Sequence, residues 1–343
     1  MQNEDSQKTR VNDAALLTGE SLPPAFSGDA QLESSEFRKS IHQAVEAWLL
    51  RTPSQQTREN YRRDLNQFLA YCRVDAKALD QLALVRPEHG AAWRETLQCN
   101  GMTNSTVRRK LTVLRSLFSY LQVYGYTGAN PAHGKFVKAP AVPRDGKTVA
   151  LSPRDCRRML DAPDLRTPVG IRDRAIFAVL AYSACRVGEL VKLKVSDFRT
   201  NGEHRVLALH GKGGKERIIP LHVEAVERLQ AWIATANLQD QRDAPLFRAT
   251  ATARGQGLDG FKNERFTVRG VEYLVRRFVR KLKLDPAVTV HSFRVTALTV
   301  ARERGCDIID LQDFAGHQDP RTTLTYVRSR DRLSHSPAYA LKY

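Results

Sequence analysis

A chain of 343 residues with 42% apolar composition is long enough for two ordinary domains with real cores, which excludes a disordered protein. Its formal charge of +17, from 54 Lys and Arg against 37 Asp and Glu, favours nucleic acid as partner; the apolar runs are far too short to cross a bilayer. Five widely spaced cysteines (Cys72, Cys99, Cys156, Cys185, Cys306) without a CxxC pair argue against a disulfide framework and a zinc ribbon, and fit a reducing cytoplasm.

Residues 1–34 are polar and hold no sustained period, which predicts a mobile N-terminal arm without a signal-peptide core. From Phe37 onward, Ile41, Val45, Trp48 and Leu49 fall on one helical stripe. The segment Ser54 to Arg73 opens with capping residues and repeats Tyr61, Leu65, Phe68 and Leu69 at helical spacing. Pro87, Trp93 and Leu97 mark a third helix stopped by Gly101, and Val107, Leu111, Leu114, Leu117, Phe118 and Leu121 mark a fourth. These four predict a helical bundle over residues 35–131, with Arg108, Arg109, Lys110 and Arg115 as candidate DNA contacts.

Residues 132–150 are rich in Pro, Gly, Lys and Ala, and Pro140 and Pro143 forbid a continuous helix, so this segment predicts a linker. Its Lys135 and Lys138 would suit a strap along a phosphate backbone; solvation alone explains them nearly as well. Residues 151–343 then predict a second domain of mixed α/β character ending in a C-terminal tail. Ser152-Pro153 reads as a helix cap and first turn, Ile171 to Tyr182 as a buried helix and Arg186 to Leu193 as another. Arg205 to Leu209 and Arg217 to Leu221 read as a hairpin around Gly211-Lys212-Gly213-Gly214-Lys215. Helices follow at Glu224 to Ala234, Val268 to Lys283, Ser292 to Gly305, Ile308 to Gly316 and Thr322 to Val327. The fold class is mainly α with a small β-sheet.

Several residues in this second part suit phosphoryl transfer. Arg186 stands three residues before Glu189, which either pairs with it as an ordinary helix-face neighbour or orients its fork toward a phosphate. His291 and Arg294 share one face at a helix start, where free N–H groups attract an anion; a capping histidine and a surface arginine would look the same. Gly316 is an ordinary helix stop, and it would aim the His317 that follows. Tyr326, in TTLTYV, reads locally as a half-buried aromatic as readily as a nucleophile. Lys212 on its glycine-rich turn is no nucleotide loop, because the GxxxxGK[ST] spacing is missing and a strand follows where that loop needs a helix.

In combination, RxxEL at 186–190, GKGxKER at 211–217, HxxR at 291–294, GH at 316–317 and Tyr326 resemble the tyrosine recombinase (lambda-integrase) family, nearest its Xer-type and integrase-type members. TxxxYxxDLxxF from Thr57 to Phe68 is similar to the family's core-binding domain, and the likeness spans about residues 37–330. Val295 departs from the histidine that many Xer-type members carry after the second arginine. The resemblance implies an N-terminal helical core-binding bundle and a catalytic domain that cuts and rejoins DNA through a 3′-phosphotyrosyl link. Arg186 and Arg294 would hold the scissile phosphate, Glu189 would support Arg186, and Lys212 would protonate the leaving 5′-hydroxyl. His291 and His317 would move protons or donate to the phosphate, and Tyr326 would attack. It implies no cofactor, metal or ATP, a double-stranded DNA recombination site as partner, a dimer on one site and a tetramer in the synapse, and no membrane. A type IB topoisomerase-like relaxing enzyme and a noncatalytic DNA-binding protein of the same fold are the alternatives.

Overall fold

The computed structural model describes residues 35–142, 148–211, 214–250 and 260–327, with side chains from Lys39 to Leu324. The expected arm, the residues after Val327, Lys212 itself and the side chain of Tyr326 lie outside that description. The chain forms two compact units that meet in sequence between Pro143 and Arg144.

The first unit holds α1 (Ser35–Leu50), α2 (Gln55–Tyr71), a 3₁₀ turn at Leu79–Leu84, α3 (Pro87–Cys99) and α4 (Asn104–Val123). The caps are those expected from composition: the Ser54 side chain accepts from the Thr57 N–H and Thr103 from Thr106. Every apolar position of the α4 stripe, from Val107 to Leu121, is buried. Phe68 on α2 anchors this core, edge-on to Trp93 at 5.1 Å and to Phe118 at 6.2 Å.

Two expectations for this unit change. Lys110 is not a surface contact: it is 3% exposed, and its ammonium donates to Asp64 Oδ1 at 3.1 Å and to Gln67. Arg109 donates to both oxygens of the same carboxylate from the solvent side. The cluster that reads in sequence as a basic patch is thus partly a pin between α2 and α4, because position 110 falls on the buried side of the helix beside Leu111 and Leu114. The first half of the expected linker is also docked. Ala132 and Val137 are buried, Arg115 donates to their carbonyls at 2.5 and 2.6 Å, and Asn104 donates to the Ala141 carbonyl at 2.9 Å. Arg115 is therefore spent on backbone oxygens, whereas Arg108, Lys135 and Lys138 are exposed.

The second unit begins with α5 (Pro153–Asp161), capped by Ser152, and α6 (Pro168–Ser183), which is buried nearly all round. A single turn, α7 (Val187–Leu190), replaces the longer helix expected from Arg186 to Leu193. Strands β1 (Phe198–Asn201), β2 (His204–His210) and β3 (Glu216–Pro220) form an antiparallel sheet in that order, the last two being the expected hairpin. The register sets Leu207 opposite Ile219 and Leu209 opposite Arg217.

Then follow α8 (Val223–Thr235), a second sheet of β4 (Arg248–Thr250) and β5 (Phe261–Arg265), α9 (Val268–Lys281), α10 (Val290–Glu303), α11 (Ile308–Ala315) and α12 (Pro320–Val327). Phe177 of α6 stacks on Phe293 of α10 at 5.7 Å and meets Phe278 of α9 edge-on at 5.3 Å. Burying a ring of that size contributes about 1.5–3 kcal/mol, and this packing fixes the start of α10 against the end of α6, where the candidate site forms.

Candidate active site

The site is built where α6 ends. Ala184 sits in the left-handed region at φ 47°, a conformation that costs an L-residue about 1–2 kcal/mol. The sharp turn leaves the Ala184 carbonyl accepting from Arg294 Nη1, and it brings Arg186 to the start of α7 two residues later. Glu189, three residues on and 6% exposed, accepts the Arg186 backbone N–H at 2.8 Å and Arg186 Nη1 at 3.0 Å. It also takes a two-pronged contact from Arg217 of β3, Nη1 at 3.0 Å and Nη2 at 2.8 Å, so each carboxylate oxygen has two N–H donors. Burial pushes the Glu189 carboxyl up, but the Arg217 and Arg186 hydrogen bonds and the Arg217 charge outweigh it and hold the group below the ordinary value.

Arg294, in the first turn of α10, is only 1% exposed. Besides Ala184 it donates to the Ala315 carbonyl at 2.6 Å and meets His317 Nε2 at 2.7 Å. A guanidinium can only donate, so these partners assign Nε2 as the acceptor and place the ring proton on Nδ1, 2.9 Å from Thr323 Oγ1. Burial, then the charge of Arg294, followed by Arg186, Arg217 and His291, pushes His317 down to about 4. His291 is also lowered, by the protein packed around it and by Arg294 and Arg186. Both imidazoles are therefore neutral at pH 7.

Gly316 closes α11 at φ 62°, where glycine is favoured on two counts. An L-side chain would be strained there, and its Cβ would lie 2.9 Å from Arg217 Nη1. The Gly316 carbonyl receives Arg186 Nη2 at 3.3 Å, and Thr323 carries the His317 contact into α12 three residues before Tyr326.

The structure thus brings Arg186, Glu189, His291, Arg294 and His317 together, from segments more than a hundred residues apart. Gly211, the residue before Lys212, joins them: a Cβ built on it would stand 3.9 Å from Glu189 Oε1. Arg108, Lys135 and Lys138 belong to the first unit. Sequence reasoning missed Arg217 and Thr323. For Arg217 a signal existed, since alternation along β3 puts it on the same face as buried Ile219 and opposite buried Leu209, where an arginine needs a carboxylate. Among the described residues, no group of His, Cys, Asp and Glu is arranged to hold a metal ion, and no helix is long and apolar enough to cross a membrane.

Comparison with known proteins identifies the family. The phage integrase family matches residues 150–332, and the phage integrase N-terminal SAM-like domain matches residues 47–123. Tyrosine recombinase XerD of Ralstonia nicotianae is 31% identical over 293 residues, covering 83% of this chain and 88% of the relative. Tyrosine recombinase XerC of Myxococcus xanthus is 30% identical over 283 residues, covering 80% and 87%. The Tn1549 transposon integrase, solved in complex with circular intermediate DNA, superposes with a TM-score of 0.62 at 18% identity over 88% of this chain and 99% of that one. A lambda integrase dimer bound to a core site gives 0.62 at 17% identity over 84% and 96%. Those two likenesses establish the helix-rich fold with its small antiparallel sheets, and the matched family and relatives establish the lineage: this chain belongs to the phage integrase family of tyrosine recombinases.

Proposed function

We propose that this chain cuts and rejoins duplex DNA at a specific site through a covalent link to Tyr326, without metal or ATP. One observation carries the reading: Arg186 and Arg217 share a single buried carboxylate, Glu189, Arg294 joins them in acting on His317, and both neighbouring histidines are held neutral. Arg294 donates to the Ala184 and Ala315 carbonyls and to His317 Nε2. The surplus positive charge suits a phosphodiester, and more so the dianionic pentacoordinate transition state.

Arg186 and Arg294 bind the non-bridging oxygens, with Glu189 holding the Arg186 fork. The Tyr326 phenol oxygen forms a bond to phosphorus as the bond to the 5′ oxygen breaks. The phenol proton passes to His291, neutral and so able to accept it, and Lys212 protonates the departing 5′-hydroxyl. A phenol of ordinary pKa about 10 is a weak nucleophile at neutral pH, and the surrounding guanidiniums favour its anion. His317 donates to the phosphate once Nε2 carries a proton, which an anion offsetting the arginines makes easier. The phosphotyrosyl link retains the energy of the phosphodiester, so attack by another 5′-hydroxyl reverses the step on a new strand. Exposed Arg108, with Lys135 and Lys138, contacts the DNA backbone. Two copies occupy one site and four form the synapse, in the cytoplasm of a bacterial cell.

The decisive experiment incubates the protein with a nicked half-site duplex that releases its short strand. A protein–DNA adduct is expected from wild type and none from Tyr326→Phe, which still binds DNA. An undiminished adduct in that variant sinks the assignment.

A further inference from the structure

Arg217 has no step of its own in the chemistry described so far, yet it meets both Glu189 and the Gly316 corner. It lies on β3, five residues beyond Lys212, with its side chain 15% exposed and both terminal nitrogens on Glu189 at 3.0 and 2.8 Å. The same carboxylate holds the backbone and the side chain of Arg186. The guanidinium also lies against Gly316, directly before His317: a Cβ there would stand 2.9 Å from Arg217 Nη1. Gly211, directly after β2, also approaches Glu189: a Cβ built on it would lie 3.9 Å from Oε1.

From this arrangement we infer that Arg217 is a positioning residue for strand cleavage, registering strands β2 and β3, the Arg186 turn and the Gly316-His317 corner around one carboxylate. The inference rests on the recombinase reading above. Its physical logic is competition for Glu189. While Arg217 takes one acceptor position on each carboxylate oxygen, the Arg186 side chain gives the carboxylate only Nη1, and its Nη2 rests on the Gly316 carbonyl through a 3.3 Å contact that a phosphate oxygen can replace. Without Arg217, Arg186 is the one guanidinium left on a buried carboxylate and is drawn onto it with both nitrogens, away from the phosphate. The hairpin loses its tie at the same time. Both effects act on the bound complex, so they lower the rate at saturating DNA and leave affinity nearly intact.

The test measures single-turnover adduct formation at saturating half-site duplex, with DNA affinity measured separately. Arg217→Met, which keeps the aliphatic stem, should slow adduct formation about 30-fold while affinity changes less than about 3-fold. Guanidinium chloride at low millimolar concentration should restore part of the rate in that variant, whereas an equal concentration of sodium chloride should not. The acid limb of the pH–rate profile should also move up, because Glu189 loses the partner that keeps it ionised.

Arg217→Lys, which keeps the charge and loses the fork, should fall between wild type and Arg217→Met; if Arg217→Met does not fold, this variant decides. A wild-type rate in Arg217→Lys, or a wild-type rate with no guanidinium effect in Arg217→Met, overturns the inference. So does a loss confined to thermal stability and affinity. Absence of an adduct from wild type is a different failure: it sinks the cleavage reading, and the positioning role falls with it.

Discussion

In each unit of this protein a buried carboxylate meets two cations, Asp64 in the first and Glu189 in the second, and these two clusters do opposite things. In the first unit Asp64, 1% exposed, takes Arg109 and Lys110, with Gln67 completing the ammonium's shell. The pair joins two helices, and the inner cation has no remaining path to a ligand. In the second unit Glu189 takes Arg186 and Arg217, and a third arginine, Arg294, acts with them on His317. Arg186 keeps 46% of its side chain exposed. The same local chemistry is a structural pin where the inner cation is sealed between two helices, and an anion site where a third arginine adds to the surplus and Arg186 stays half exposed.

The largest effects should fall on the surplus. Arg294→Ala should reduce adduct formation by about a thousandfold, as expected when a preorganised donor to transition-state charge is removed. Arg186→Ala should come close to it, with DNA binding reduced far less in each. If Arg294→Ala cleaves within tenfold of wild type, the second cluster is no more a reaction centre than the first.

Next comes the pin. Asp64→Ala strands the Lys110 ammonium in the core, a loss of about 3–5 kcal/mol for a broken buried pair. Urea unfolding should show that loss in the first unit, while the cleavage rate of the folded fraction at saturating DNA stays unchanged. A variant that kept its stability and lost cleavage would reverse the roles assigned to the two clusters.

How far these roles were legible in the sequence differs between the units. Long periodic stretches were plain: the stripe from Val107 to Leu121 and the caps at Ser54, Thr103 and Ser152 follow from local spacing, and the structure has them. Short or irregular elements were not. β1 buries only Phe198, β4 spans Arg248–Thr250, and neither carries an alternating pattern long enough to stand out. The docking of residues 132–142 was hidden because it rests on backbone carbonyls held by Arg115 and Asn104, which composition cannot reveal. In the site, HxxR and RxxE announced Arg294, Arg186 and Glu189, but not that Arg294 is almost wholly buried. That burial comes from contacts with Ala184 and Ala315, distant in sequence and made through atoms every residue has. Lys110 was misread because three adjacent basic residues look alike in a string and are separated only by helix phase.

A pH effect separates the clusters further. His317 falls from 6.5 to about 4 in the folded protein, so between those values the unfolded chain binds the extra proton. Stability without DNA should therefore be undiminished by this group above pH 6.5 and fall as the pH drops toward 4, by about 3 kcal/mol for a shift of that size. Comparing wild type with His317→Gln by urea unfolding at pH 7 and pH 4.5 isolates the contribution, since other groups titrate in both. Equal losses in the two proteins would mean that His317 does not sit against the surplus charge as the contacts to Arg294 and Thr323 require.

The smallest effect tests the division within the first unit itself. Lys138 is exposed on the docked strap and Lys110 is sealed against Asp64, though each adds one positive charge to the chain. If Lys138 meets a phosphate, Lys138→Gln should weaken DNA binding modestly and lower the slope of log affinity against log salt by about one. Lys110→Met removes the same charge from a place no phosphate reaches, so the slope should stay as in wild type even where stability falls. Titrations of both variants on one duplex across a salt series make the comparison. Matching slopes for the two would place Lys110 among the DNA contacts after all, and would show that its pairing with Asp64 opens when DNA binds.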